Sequence, residues 1–206
     1  MSASTMKIVA PAAASASEAT FRNEPPTDFA IAKNREAMQH ALAEVRTQLG
    51  RHYPLCIGVG PIETLDKLTS TNPSRKSQVI GTTGSATAEH VAVAVKAAKA
   101  ALSGWHALGA EGRAKFLRDA AAAMRRRRFD LAACIVLEAG KPWREADADT
   151  CEAIDFCEYY ALEMQRLDRQ QQRNVPGEEN NYFYVPRGVA VVIAPWNFPL
   201  AIPCGM

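Results

Sequence analysis

Apolar side chains recur at three- and four-residue spacing through two long stretches of the chain, separated and followed by shorter, strand-like runs. Asp28 can cap a helix whose stripe is Ile31, Met38, Leu42, Val45 and Leu49, with Gly50 as its stop. Over residues 53–84 the runs become short and β-like, at 55–59, 64–70 and 77–82. Gly and Pro punctuate them, which predicts a small antiparallel ribbon. Helical spacing returns over residues 87–168. Thr87 can cap a first helix with Val91, Val95, Ala98 and Leu102 on one side, and a second, from near Ala110, carries Ala114, Leu117, Ala121 and Met124. A third runs over 131–139 and stops at Gly140. A fourth, about 144–168, turns Ala146, Ala153, Ile154, Cys157, Ala161, Met164 and Leu167 inward, and its small residues let neighbours approach closely. Residues 170–181 are polar and contain Pro176-Gly177, a connector. Residues 182–185 alternate as a strand, and 188–194 is a continuous apolar run that predicts a strand buried on both faces. Residues 195–199 break that run sharply between two prolines, and 200–206 opens another apolar segment. A strand buried on both sides needs neighbours that the ribbon is poorly placed to supply, so the chain reads as stopping inside a domain.

Composition narrows the picture. With 206 residues, 48% apolar and 22% charged, the chain is globular rather than disordered or collagen-like. Lys and Arg number 24 against 22 Asp and Glu, a net +2, without the clustered cation surplus that nucleic acid needs as a partner. No apolar run approaches the roughly 20 residues of a bilayer crossing, so no membrane partner is expected. Five cysteines form no CxxC pair and no metal-ligand spacing with the four histidines. Reduced thiols, no metal and a cytoplasmic location are therefore expected. Residues 1–20, rich in Ala and Ser, with Lys7 as the one cation and Pro11 interrupting the apolar 8–10, read as a flexible arm rather than a signal or transit peptide. Residues 21–26 form an extended lead-in, because Pro25 and Pro26 push the residues before them out of the helical region.

Most candidate chemistry has a structural account. Gly58-Val59-Gly60 and the 81–84 segment lack the third glycine and following helix of a dinucleotide loop, so turns explain them. Arg125, Arg126, Arg127 and Arg128 complement the negative end of the second helix of this region. Glu145, Asp147, Asp149, Glu152 and Asp155 spread around the fourth helix rather than converging. They are expected in solvent, with Glu152 and Asp155 as exceptions bordering the apolar stripe. Cys134, Cys151 and Cys157 sit among Ala and Ile as small hydrophobes, and Cys204 has no His or Glu close by in sequence. Asn197 differs. Its amide lies between Trp196 and Phe198 at the C-terminal end of an expected buried strand, where open α/β sheets bind ligands. Held rigid by Pro195 and Pro199 and desolvated, it would suit stabilisation of a developing oxyanion. It could equally close the turn through its own backbone bonds, and the residues alone leave both readings open.

At that motif a resemblance becomes specific. Residues 188–200 resemble the strand-and-turn segment of the aldehyde dehydrogenase superfamily. Glu138-Ala139-Gly140-Lys141-Pro142 with Glu145-Ala146, and the surroundings of Trp105 and Arg113, resemble its helical region. Phe21-Arg22-Asn23-Glu24-Pro25, the 50–55 segment, and above all 145–149 and 152–160 resemble the 1-pyrroline-5-carboxylate dehydrogenase (L-glutamate γ-semialdehyde dehydrogenase) branch. The resemblance implies an α/β fold, the N-terminal part of the aldehyde dehydrogenase fold: a helical layer, a small β ribbon, the start of a Rossmann-like parallel sheet and part of an oligomerisation flap. Residues 1–20 would be the arm and 21–171 the N-terminal part of the NAD-binding domain. Residues 172–187 would be the connector and oligomerisation strand, and 188–206 the first strand and turn of the cofactor-binding sheet.

It also implies NAD-dependent oxidation of L-glutamate γ-semialdehyde to L-glutamate in proline degradation, by a homo-oligomer when full length. In that family a cysteine thiolate attacks the aldehyde, hydride passes to NAD, and a glutamate-activated water releases the acid. Asn197 matches the amide that holds the thiohemiacetal oxygen, and Phe198 an aromatic wall against the substrate. Ile193, Ala194, Pro195 and Trp196 match the backbone strip along the cofactor, and Glu152 a glutamate at the mouth of the site. The family's nucleophile and general base follow the segment equivalent to residue 206, and Cys204 does not match the nucleophile, so this segment alone is expected to be inactive. Two alternatives stand beside this reading: an aldehyde dehydrogenase of another semialdehyde, and a non-catalytic oligomerisation module.

Overall fold

The computed structural model describes residues 20–206, so the arm expected over 1–20 lies outside the described residues except for Thr20. A helical layer forms the centre. The first helix, α1 (Ala32–Thr47), packs on α4 (Arg128–Ala139), which in turn packs on the long α5 (Trp143–Leu167). Met38, Leu42, Ile135, Leu137 and Ala146 are buried where they meet, with Phe29, Trp143 and Leu200 against them. Beside α5 runs α3 (Gly109–Arg126). Their seam of Ala121, Ile154 and Cys157 is flanked by Leu117 and Met124. Small side chains at the seam let the two helices lie close, as their spacing predicts. Before α3 comes α2 (Ala88–Ala107), entered by Thr87, whose backbone N–H donates to His90 Nδ1 at 3.0 Å. Its expected apolar side meets little: no residue of α2 is buried.

Local signals set several boundaries. Gly140, at φ +71°, ends α4 in the left-handed conformation that glycine adopts without strain, and a Cβ there would lie 2.9 Å from Pro73 Cγ. Asp28 acts earlier than expected. Its carboxylate accepts the Ala30 N–H at 2.8 Å and forms a turn, and α1 starts after Ile31, which stays 52% exposed.

The ribbon is more divided than its pattern suggests. Strand β1 (Arg51–Tyr53) pairs in parallel with β5 (Arg75–Gly84), which pairs antiparallel with β4 (Lys67–Asn72). The run expected at 55–59 splits into a separate hairpin, β2 (Leu55–Ile57) with β3 (Gly60–Ile62), because Gly58 turns at φ +66°. Pro54, lacking an N–H, separates β1 from β2. The pairs β2–β3 and β4–β5 are antiparallel, and the parallel β1, outside the expected runs, is added to them. Gly81 opposite Arg51 leaves room for the parallel approach, since a Cβ at Gly81 would sit 3.0 Å from the Arg51 carbonyl oxygen.

Two further expectations are corrected. Residues 188–194 form no strand and pair with none among the described residues, and Val191 and Ile193 are 75% and 83% exposed. Their apolar pattern records a demand for neighbours that the described residues do not meet. Of 182–185, only Tyr182 lies in a strand: β7 (Asn181–Tyr182) pairs with β6 (Gln171–Gln172), and the rest is exposed.

Asp147 is expected in solvent and the arginines at a helix end, and the structure uses them differently. Asp147 is buried and takes Arg128 Nε and Nη2 at 2.7 and 2.8 Å, with the Thr27 N–H and hydroxyl at 2.7 and 2.8 Å. Arg128 also donates to the Pro25 carbonyl, Asp155 takes the Glu24 N–H, and Arg125 bridges Glu24 and Glu158. Together they strap the proline-rich lead-in across the helices. An extended segment without a regular ladder must bond its peptide groups elsewhere, and these side chains supply the partners. Burial alone would raise the Asp147 carboxyl, but the bonds from Arg128 and Thr27 outweigh it and hold the group below the usual carboxylate range.

Candidate active site

The turn carrying the candidate residues lies between the unpaired 188–194 run and the short α6 (Ala201–Gly205). Its far end is clamped to α5. Asp149, with a fully buried side chain, accepts the Ala201 N–H through Oδ1 at 2.8 Å and Lys141 Nζ through Oδ2 at 2.9 Å. Ala201 itself is buried, and α6 lies so close to α5 that a Cβ on Gly205 would come within 2.8 Å of the Phe156 ring. Lys141 also stands over the Phe198 ring, 4.1 Å from its centroid, a geometry in which the ring quadrupole attracts the cation. One ammonium thus joins the α4–α5 link to the Asp149 carboxylate on α5 and to the aromatic of the turn.

On this mount the Asn197 side chain is exposed and has no hydrogen-bond partner among the described residues. Its expected desolvation is therefore absent, because no described residue covers it. The amide is also not spent on closing the turn. Trp196 and Ile193 are similarly open, at 87% and 83% exposure, Ala194 is half-buried and Pro195 is exposed. Glu152 is half-buried, its side chain has no hydrogen bond or ion pair among the described residues, and it follows Asp149 by one helical turn on a neighbouring face. Lys141, Asp149, Phe198 and Ala201 are brought together by hydrogen bonds, an ion pair and a cation–ring contact; among the described residues no such interaction joins the Glu152 or Asn197 side chain to that group or to each other.

Lys141 and Asp149 are the residues that sequence reasoning missed. A signal existed: Asp149 follows Ala146 by three positions and precedes Ala153 by four, so it lies within the apolar stripe and not on the polar face. An acid there, eight residues after a lysine and beyond a proline, implies a buried partner. A cleft of about 820 Å³ opens elsewhere, lined by residues of α1, β1, β4, β5 and α4 including Glu44, Arg51, Ser70 and Glu138, and none of the sequence-predicted site residues borders it. Among the described residues no helix is long and apolar enough to cross a membrane.

Known proteins resemble the chain along nearly its whole length. It is 50% identical over 186 residues to 1-pyrroline-5-carboxylate dehydrogenase of Geobacillus thermodenitrificans, covering 90% of this chain and 36% of that protein. The crystal structure of a Thermus 1-pyrroline-5-carboxylate dehydrogenase with bound NAD superposes with a TM-score of 0.85 at 47% identity, over 90% of this chain and 36% of the other. Proline utilization A from Bdellovibrio bacteriovorus, inactivated by N-propargylglycine, gives 0.86 at 43% identity, over 90% and 20%. The chain thus spans about a third of the length of the curated relatives it matches, their N-terminal part. The superposition supports the expected α/β class, a mixed architecture like the N-terminal part of that fold. Residues 62–206 match the model of the aldehyde dehydrogenase family, and the chain belongs to that family.

Proposed function

We propose that the complete gene product containing this chain oxidises L-glutamate γ-semialdehyde, in equilibrium with 1-pyrroline-5-carboxylate, to L-glutamate with NAD as oxidant. The observation that carries the reading is Asn197: an unpartnered amide mounted on a turn clamped through Asp149 and Lys141. A donor carried on a turn that is held before reaction stabilises an oxyanion with little backbone reorganisation as charge develops, and one such donor is worth about 3 kcal/mol. Asn197 donates to the oxygen of the thiohemiacetal that forms when a cysteine thiolate, supplied from outside these 206 residues, adds to the aldehyde. Phe198 gives the substrate's methylene chain an apolar wall whose ring Lys141 steadies. Glu152 stands at the mouth of the site. The names and identities of the relatives support the choice of aldehyde.

Residues 193–196 fit one wall of a dinucleotide site. Their peptide groups make no hydrogen bonds among the described residues, and the exposed side chains of Ile193 and Trp196 flank them. Bound NAD supplies the hydride acceptor. The exposed Tyr182, Phe183, Tyr184 and Val185 beside the β6–β7 hairpin support assembly into a homo-oligomer, since a contiguous apolar patch of this kind marks an interface.

The test measures NADH formation by the complete gene product with glutamate semialdehyde and with succinate semialdehyde at saturating NAD. Faster turnover of glutamate semialdehyde is expected, and residues 1–206 alone are expected to be inactive. Preference for succinate semialdehyde replaces the substrate with another semialdehyde. No NADH from either refutes the enzyme reading and leaves an oligomerisation module.

A further inference from the structure

Two of the five cysteines meet. Cys157, buried on α5, and Cys204, on the exposed side of α6, place their sulfurs 3.5 Å apart although 47 positions separate them in sequence. Cys56 and Cys134 are exposed and Cys151 is buried, and none of the three has another cysteine sulfur within bonding reach among the described residues. We infer that Cys157 and Cys204 form a reversible oxidation site, which a hydroperoxide converts to an intramolecular disulfide joining α5 to α6. The inference is independent of the proposed activity, since neither cysteine has a role in it.

The two thiols are unequal in the way such a site requires. Cys204 is the accessible one, and either sulfur can donate across the 3.5 Å contact; when Cys204 is the thiolate, Cys157 is the donor. That bond lowers the Cys204 thiol to about 7, against an opposing push from burial, and raises Cys157. In its neutral form Cys204 instead donates to the Ala153 carbonyl at 3.7 Å. A thiolate at Cys204 attacks the outer oxygen of the peroxide. The O–O bond breaks, the alkoxide or hydroxide leaves and takes up a proton, and Cys204 becomes a sulfenic acid. Cys157 then loses its proton and attacks that sulfur, and the sulfenic oxygen departs as water. Two thiols give up two protons and two electrons, and the hydroperoxide takes them up to become an alcohol, or a second water, plus water. A disulfide needs the sulfurs about 1.5 Å closer than they stand. Rotation about the Cα–Cβ bonds of the two cysteines supplies that movement. Cys151 cannot compete, because burial and the Asp147 carboxylate push its thiol up to about 12.

The experiment treats the full-length protein with hydrogen peroxide, denatures it in an alkylating agent and maps tryptic peptides by mass. The expected result is a peptide containing residue 204 joined to peptide 145–166, two hydrogens lighter than the sum. Cys151 on that peptide stays alkylated, and dithiothreitol restores both thiols. In the Cys157→Ser variant the cross-link is lost and Cys204 accumulates as sulfenic and then sulfinic acid. Peroxide treatment that leaves both cysteines alkylatable, or joins Cys204 to a different cysteine, overturns the inference on the wild-type protein alone. So does equal cross-linking in urea, which would remove the role of the fold.

Discussion

Replacing Asp149 with Ala is expected to release α6 from the rest of the molecule. The substitution removes the carboxylate that takes the Ala201 N–H and strands Lys141, whose side chain is only 16% exposed, without its ion partner. A hydrogen bond to a charged group contributes about 1.5–3 kcal/mol, and breaking a buried pair by deleting one member costs about 3–5 kcal/mol. Lys141 keeps some access to water and keeps the Phe198 ring, so the low end applies, near ~3 kcal/mol, or about 100-fold in the local opening equilibrium. Amide hydrogen exchange reads this directly. The N–H groups of Ile202, Cys204 and Met206 bond to the carbonyls of Phe198, Leu200 and Ile202, and they should exchange about 100-fold faster while those in α4 hold their protection. Adding Lys141→Met to Asp149→Ala should recover at least about 1 kcal/mol relative to the sum of the single changes, because the stranded ammonium is then gone. A change of less than about threefold at α6, or equal loss in α4 and α6, would refute the clamp.

Other outcomes follow from the same geometry. In the complete gene product Asn197→Ala should lower kcat by about 10²- to 10³-fold with little change in KM, and a kcat within twofold of wild type removes the oxyanion role. Gly140→Ala should destabilise the fold by about 2 kcal/mol, read from the urea midpoint, since alanine is strained at φ +71° and its methyl meets Pro73. The Asp147 carboxyl is lowered in the folded state, so its contribution is complete above the ordinary carboxylate value near ~4 and is lost as pH falls through the lower folded value. Exchange of the Thr27 amide, corrected for its intrinsic pH dependence, should rise below about pH 4. With Asp147→Asn it should be fast at neutral pH as well. Phe183→Asp should weaken self-association in sedimentation while leaving the helical circular dichroism signal unchanged; unaltered association would remove the hairpin from the interface.

The helices were legible because their signals are local. Thr87 precedes α2, Gly140 ends α4 where only a left-handed residue fits, and the Ala and Ile spacing of α5 states which side faces inward. The Trp196-Asn197-Phe198 turn was legible for a similar reason: two prolines and an abrupt end to an apolar run mark a bend whatever surrounds it. Pairing partners were not. Parallel registry between β1 and β5, the open state of 188–194, and the burial of Asp147 and Asp149 each depend on what another part of the chain places opposite.

Sequence alone determined that these helices exist, where α2 begins and α4 ends, and which family motif the chain carries, since backbone preference and spacing act over a few residues. Only the tertiary structure decided that an acid in a charged run is a buried clamp, that two cysteines 47 positions apart touch, and that an apolar run lies open. The physical reason is that the free energy of a charge, a thiol or a valine depends on what replaces its water, and the chain supplies that replacement from distant positions.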